Sequence, residues 1–211
     1  MLVFDLDGTL LDTAKDLHIA LNYALEKHGF EGKTEQETLA LLGNGIEALV
    51  AGAIENGKEN PQFLATFLTF KDYYFAHLND YTKPYPGIMD LLRELKARHI
   101  KMGIVSNKFD EGVKALAERF FKGYIDYAQG VCATVQKKPA PDAVFALIKA
   151  QNAENEKNIY IGDSEVDIKT AQNAGLPCIS VSWGFRSKKY LQSIGATTII
   201  DSPKELLKYI S

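Results

Sequence analysis

The sequence predicts an α/β fold: a doubly wound parallel sheet, Rossmann-like, with an all-helical domain inserted into it. Three observations carry that expectation. Short apolar runs bounded by turn residues recur at 2–6, 102–105, 159–161, 178–181 and 198–200, as strands do. Helical patterns separate most of them, at 88–98, 111–120, 142–151 and 166–174, which implies crossover units and a sheet covered on both faces. Roughly 95 residues lie between the first run and residue 102, where a crossover needs only about 10–12, and the excess is helical.

The first run, "LVFDLDGTLLD", begins as a buried strand with Leu2, Val3 and Phe4, then turns to Asp5, Asp7, Gly8 and Thr9. A helix over 14–28 sets Leu17, Leu21, Ala24, Leu25 and His28 on one face, and Gly29 ends it. His18 and His28, without a second ligand at metal spacing, read as packing or rim residues. Thr34 with Glu37 forms a capping box for the helix that carries residues 39–42. Asn60-Pro61 opens a long helix whose Phe63, Leu64, Phe67, Leu68, Tyr74, Phe75 and Leu78 read as core. "YTKPYPG" at 81–87 is a stiff return linker. The helical domain therefore spans 14–80, between the two parts of an α/β domain, 1–13 and 81–211. It leaves the sheet at the carboxyl end of the first strand, where ligands of open α/β sheets bind. A last helix over 203–209 has Ser202 as N-cap, Pro203 at its first position and Glu205 three residues after the cap.

Composition bounds the function. The chain has 211 residues, 46% apolar, enough for a sizeable core. A net charge of −3 with no basic run argues against a nucleic-acid partner. The two cysteines, Cys132 and Cys178, lie far apart and suit a reducing compartment. No secretory leader pattern and no apolar run near 18 residues is evident, so the expectation is a cytoplasmic protein with no membrane partner. Oligomeric state stays open between monomer and homodimer.

Asp5 and Asp7 are two residues apart, so an extended strand points both to one face. Two carboxylates ~4 Å apart repel by about 4 kcal/mol at an effective dielectric near 20. Either they share a proton, or a cation sits between them, or the segment is a solvated turn; the apolar strand before it speaks against the last. "VSNK" at 105–108 ends another strand with a hydroxyl and an amide, and "KKPAP" at 137–141 delivers a lysine just before a helix. "IGDSEVD" at 161–167 ends a third strand in Gly162 and Asp163, with Asp167 four further on. In a parallel sheet these ends converge on one edge. Carboxylates, a hydroxyl and an ammonium suit a hard divalent cation and a phosphoryl group.

With "DLDGTLLDT", "PYPG", "VSNK", "KPAPD" and "GDSEVD" followed by "AQNAGLPCISVSWGF", the chain resembles the haloacid dehalogenase-like hydrolase superfamily over essentially its whole length. It looks most like the phosphoglycolate phosphatase group with a helical cap, and "LLGNG" at 41–45 is similar to that group too. The resemblance implies a magnesium-dependent phosphatase of a small phosphorylated metabolite. It makes Asp5 the nucleophile and Asp7 the general acid/base, with Ser106 and Lys138 binding the phosphoryl group. Asp5, the Asp7 carbonyl and Asp163 would hold Mg2+, with Asp167 orienting a metal-bound water. Thr9, Asn107, Lys108, the cap loop Gly43, Asn44 and Gly45, and Arg186 are the expected substrate-side residues. Thr9 chiefly fixes the turn, and Arg186 offers a fork for a substrate carboxylate. The resemblance also leaves a β-phosphoglucomutase-like phosphotransferase or a pyrophosphatase as alternatives on the same scaffold, and a receiver-like phosphoacceptor module as a remote one.

Two departures matter. "YAQGVCATVQ" at 127–136 lacks the acid often seen there in that group, which loosens the substrate assignment. "GNGIEA" at 43–48 mimics a dinucleotide fingerprint, but a helix precedes it and more helix follows, so it is rejected.

Overall fold

A computed structural model describes residues 1–210. The chain forms two compact units, one of Met1–Asp12 with residues 84 onward, the other Thr13–Lys83. In chain order the strands are β1 (Leu2–Phe4), β2 (Leu11–Asp12), β3 (Lys83–Pro84), β4 (Met102–Phe109), β5 (Tyr127–Val131), β6 (Ile159–Gly162), β7 (Cys178–Val181) and β8 (Ile199–Ile200). The helices are α1 (Ala14–Lys27), α2 (Glu35–Leu41), α3 (Ile46–Ala53), α4 (Phe63–Ala76), α5 (Ile88–Ala97), α6 (Asp110–Phe121), α7 (Asp142–Ala150), α8 (Glu165–Ala174) and α9 (Lys188–Ser193).

The first unit is built on a six-stranded sheet of order β5-β4-β1-β6-β7-β8, and the neighbouring strands run parallel. Val3 pairs with Gly103 on one side and Tyr160 on the other. From β1 the chain first builds outward through β4 and β5, then returns to the other side through β6, β7 and β8. The switch therefore falls between β1 and β6, and in such sheets the crevice at the carboxyl ends beside the switch takes the ligand. Val3, Val105, Tyr160, Val144, Leu147 and Ala171 share one buried cluster. A Cβ on Gly103 would come within 2.3 Å of Leu147 Cδ1, so α7 packs against the bare backbone of β4.

Three elements differ from the sequence reading. β4 runs on to Phe109, so Ser106, Asn107 and Lys108 lie inside the strand and all three are buried; its register with β5 shifts between Val105 and Phe109. β5 was not among the strand candidates, because its residues are mostly half-buried and it stands at the sheet edge without a strong apolar run. Residues Pro203–Tyr209 form a 3-10 rather than an α-helix: the Ser202 side chain caps no backbone N–H, and its hydroxyl donates instead to Glu205 at 3.1 Å.

In the second unit α1 packs along α4. Leu17, Ala20, Leu21, Ala24 and Leu25 are buried from α1, and Phe70 and Tyr74 from α4. The expected capping box starts α2: Glu37 N donates to Thr34 Oγ1 at 3.2 Å and Thr34 N to Glu37 Oε2 at 2.8 Å. His18 meets Thr38 Oγ1 at 3.0 Å and His28 meets Thr69 Oγ1 at 2.8 Å, tying helices together. The α4 stripe is not all core, since Leu64 is 63% exposed. Asp16 on α1 is buried and accepts from Tyr81 N, Thr82 N and Thr82 Oγ1, fastening the return segment to the first helix. Among the described residues no helix is long and apolar enough to cross a membrane.

Candidate active site

Asp5 follows β1 directly, and its N–H donates to Ile161 O on β6, so the main chain seats it at the switch. Lys138, from the segment between β5 and α7, reaches Asp5 Oδ1 at 2.7 Å. The same ammonium reaches Asp167 Oδ1 at 2.7 Å and the Tyr160 hydroxyl at 3.0 Å, so its three N–H groups are all engaged. Tyr160 in turn donates to Asp167 Oδ1 at 3.1 Å. The second Asp167 oxygen accepts from Asp163 N, Ser164 N and Ser164 Oγ, closing a capping box on α8. Asp167 is thus saturated by its own protein, a supporting post beneath Asp5 and Asp163.

Burial pushes the Asp5 carboxyl up to about 7, with Asp167 and Asp7 adding to the rise and Lys138 opposing it. Asp163 is pushed well above the usual carboxylate range, first by burial, then by Asp167 and Asp5. For Lys138 burial works against the charge, but Asp167 and Asp5 outweigh it and hold the ammonium firmly protonated.

Asp7 stands apart. Its carboxylate is 18% exposed and is gripped by Lys108 Nζ at 2.8 and 3.0 Å from its two oxygens. The turn that presents it is held by main chain: Leu6 O accepts from Leu10 and Leu11, and Gly8 N donates to Leu11 O. Gly8 sits at φ +88°, a conformation that costs glycine little. Thr9 is buried; its N–H donates to Leu6 O at 3.3 Å within the turn and its carbonyl oxygen accepts from the Trp183 indole at 3.0 Å, while its Oγ1 has no hydrogen-bond partner. Ser106 Oγ accepts from Lys108 N at 3.2 Å, and Asn107 Nδ2 donates to Lys138 O at 3.2 Å.

One carboxylate oxygen each of Asp5, Asp163 and Asp167 lie within 4.8 Å of one another, all buried. With all three carboxylates ionised against the single Lys138, this desolvated cluster would carry a formal charge of −2, which is what the raised Asp5 and Asp163 values resist. An uncompensated buried charge is costly, and a hard divalent cation with oxygen ligands would cancel it. The donor set therefore fits Mg2+, with Asp5 and Asp163 as the carboxylates that would hold it.

The other expected residues are distributed differently. Arg186 donates through Nε and a terminal nitrogen to both oxygens of Glu165, at 2.9 and 3.0 Å, so the fork expected to face a substrate carboxylate holds an internal one. Gly43, Asn44 and Gly45 lie in the second unit between α2 and α3, where Gly45 caps α3 at φ +79°. Lys137 is exposed, as a solvated neighbour should be.

Residues 2–181 match the haloacid dehalogenase-like hydrolase family. The chain belongs to that family. Among curated relatives, a phosphoglycolate phosphatase of Aquifex aeolicus is 32% identical over 186 residues, covering 88% of this chain and 85% of its own. Phosphoglycolate phosphatase 1 of Pseudomonas aeruginosa is 31% identical over 215 residues, covering 98% and 78%. A solved structure from Lactobacillus delbrueckii subsp. bulgaricus is 36% identical with a TM-score of 0.94, covering 99% of this chain and 97% of that one. CbbY from Rhodobacter sphaeroides, at 23% identity and a TM-score of 0.75 over 97% and 95% of the chains, shares the fold.

Several groups that build this hydrolase's site escaped the sequence reading. Tyr160 reads as one more strand apolar, and only its place two residues before the "GD" hints at a neighbour for the lysine. Trp183 and the Phe185 N–H, which donates to Asp163 Oδ2 at 2.7 Å, lie on a loop whose sequence carries no local signal for such contacts. Glu165 is 21 residues from Arg186, beyond the reach of any helical pairing rule.

Proposed function

We propose that this phosphoric monoester hydrolase is a magnesium-dependent phosphatase that cleaves a small phosphorylated metabolite through an aspartyl phosphate on Asp5. The single observation that carries the reading is the buried Asp5–Lys138–Asp163–Asp167 cluster at the switch point, three carboxylates gathered on one ammonium. The named relatives, phosphoglycolate phosphatases, favour a phosphoglycolate-like substrate.

Asp5 attacks phosphorus in line, and the bond from phosphorus to the ester oxygen breaks. Lys138 holds the attacking carboxylate by one oxygen and spreads positive charge over the transferred group. Asp7, the more exposed carboxyl, exchanges protons with solvent: it protonates the departing alkoxide, then takes a proton from the water that cleaves the acyl phosphate. Lys108 fixes the orientation of Asp7 between these steps. The Ser106 hydroxyl donates to a phosphoryl oxygen. Asp5, Asp163 and the Asp7 carbonyl would hold Mg2+, with Asp167 bracing Lys138 and the Asp163 main chain through its hydrogen bonds. When bound, the metal neutralises the phosphoryl oxygens and so lowers the cost of charge on charge.

Phosphate release from phosphoglycolate and a panel of phosphomonoesters, with Mg2+ and with chelator, tests the reading. Asp5→Asn should abolish release, and acid-quenched wild-type enzyme should carry a phosphate adduct on the Asp5 peptide. Metal-dependent turnover by Asp5→Asn, or full turnover in chelator, would overturn it.

A further inference from the structure

Residues 182–187 follow β7, and three contacts pin them to separate parts of the core. The Trp183 indole donates to Thr9 O at 3.0 Å, in the turn after β1. The Phe185 N–H donates to Asp163 Oδ2 at 2.7 Å, at the end of β6. The Arg186 fork grips Glu165, in the first turn of α8. Gly184 lies between these anchors, and a Cβ there would come within 2.2 Å of Gly8 O and 2.4 Å of Asp163 Cβ. Gly8 is equally tight from the other direction: its Cβ would fall 2.4 Å from Asp163 Oδ2. The Asp163 carboxylate therefore sits in a slot with two side-chain-free walls, closed by an amide.

We infer that the Trp183–Arg186 segment is a positioning bracket that presets Asp163 for the divalent cation. The phosphatase chemistry itself uses none of these side chains. With one oxygen held by the Phe185 amide and the backbones of Gly8 and Gly184 close against the side chain, the cation meets a ligand already ordered. Without the bracket, binding must first order that side chain. Outer partners of this kind typically set metal affinity by about 10–100-fold. The bracket also joins the turn after β1, the end of β6 and α8, so it holds Asp163 in register with Asp5, which none of the three contacts does alone. The inference rests on the magnesium reading above.

Calorimetric titration of Mg2+ into wild type, Trp183→Phe and Gly184→Ala, each first stripped with chelator, tests it. Trp183→Phe removes the indole N–H and leaves a smaller aromatic ring in its place; Gly184→Ala pushes a methyl into the slot. The expected result is a Mg2+ dissociation constant raised about 10-fold or more, and a smaller Mg2+-induced rise in melting temperature. Melting of the stripped variants should change far less than their metal affinity, which a merely structural role would not produce. Should Gly184→Ala fail to fold, Trp183→Phe alone decides. Wild-type affinity in the variants, with wild type binding Mg2+, overturns the bracket and leaves the phosphatase reading standing. Failure of wild type to bind Mg2+ overturns both.

Discussion

Replacing Lys138 by Met probes the charge balance of the site most directly. The ammonium is 3% exposed and lies 2.7 Å from both Asp5 and Asp167. Met has nearly the same length and no charge, so the volume is kept while two buried carboxylates lose their only shared cation. Removing one partner from a buried ion pair typically costs about 3–5 kcal/mol. For a chain of this size each kcal/mol moves the melting temperature by about 2–4 °C, so the expected fall is about 6–20 °C in chelator. The assay is thermal unfolding followed by circular dichroism, with phosphate release measured in parallel and expected to vanish. Adding Asp5→Asn to the Met variant should recover part of the loss, because one stranded carboxylate is gone; the coupling should be about 0.5–3 kcal/mol. A Met variant that melts at or above the wild-type temperature would refute the view that Lys138 balances a charge-starved cluster.

Tyr160→Phe removes the hydroxyl that links Lys138 to Asp167 and leaves an ammonium N–H unpaired; urea unfolding should show a loss of about 1–3 kcal/mol, and an unchanged midpoint would count against the network. Gly103→Ala should cost about 1–3 kcal/mol in the same assay, since the new methyl meets Leu147 in a filled core. Alkylation at neutral pH should modify Cys132 quickly, its thiol being exposed and lowered by hydrogen bonds from Thr134, and half-buried Cys178 far more slowly, because burial pushes that thiol up to about 12; equal rates at both sites would contradict the structure. Asp110 accepts from Gly130 N and Gln129 Nε2, and although burial opposes it, Lys114 and the Gly130 N–H keep its carboxyl below the usual range. A depressed folded-state value means stability present above pH ~3.9 and lost as the pH falls through the lower one, so the melting gap between wild type and Asp110→Asn should close below about pH 4.

Much of the site was legible because its residues violate their surroundings. Asp5, Asp163 and Ser106 stand at the ends of apolar runs, where only a ligand or a partner offsets the burial of polar groups. Lys138 was legible for a different reason: "KPAPD" ties a lysine to a helix start, while Lys137 beside it has no such setting. The capping box of α2 was equally plain, since Thr34 and Glu37 meet within one turn. What stayed hidden depends on contacts distant in sequence. The five donors to Asp167 come from Lys138, Tyr160, Asp163 and Ser164, and the first two are distant in sequence. Arg186 looked like an open fork because Glu165 lies on another element. Tyr160 looked like packing because a phenol inside a strand differs from phenylalanine by one oxygen. β5 was missed because an edge strand with Gln129 and Gly130 has little apolar contrast.

The clasp of Asp16 on Tyr81 and Thr82 carries an evolutionary consequence. By knotting the entrance of the 13–83 segment to its own exit, it makes that segment a cassette whose two leads are joined before they reach the sheet. Such a cassette can be traded, enlarged or redecorated between descendants while the hydrolytic machinery stays as it is, and new preferences can then arise without reinventing the chemistry.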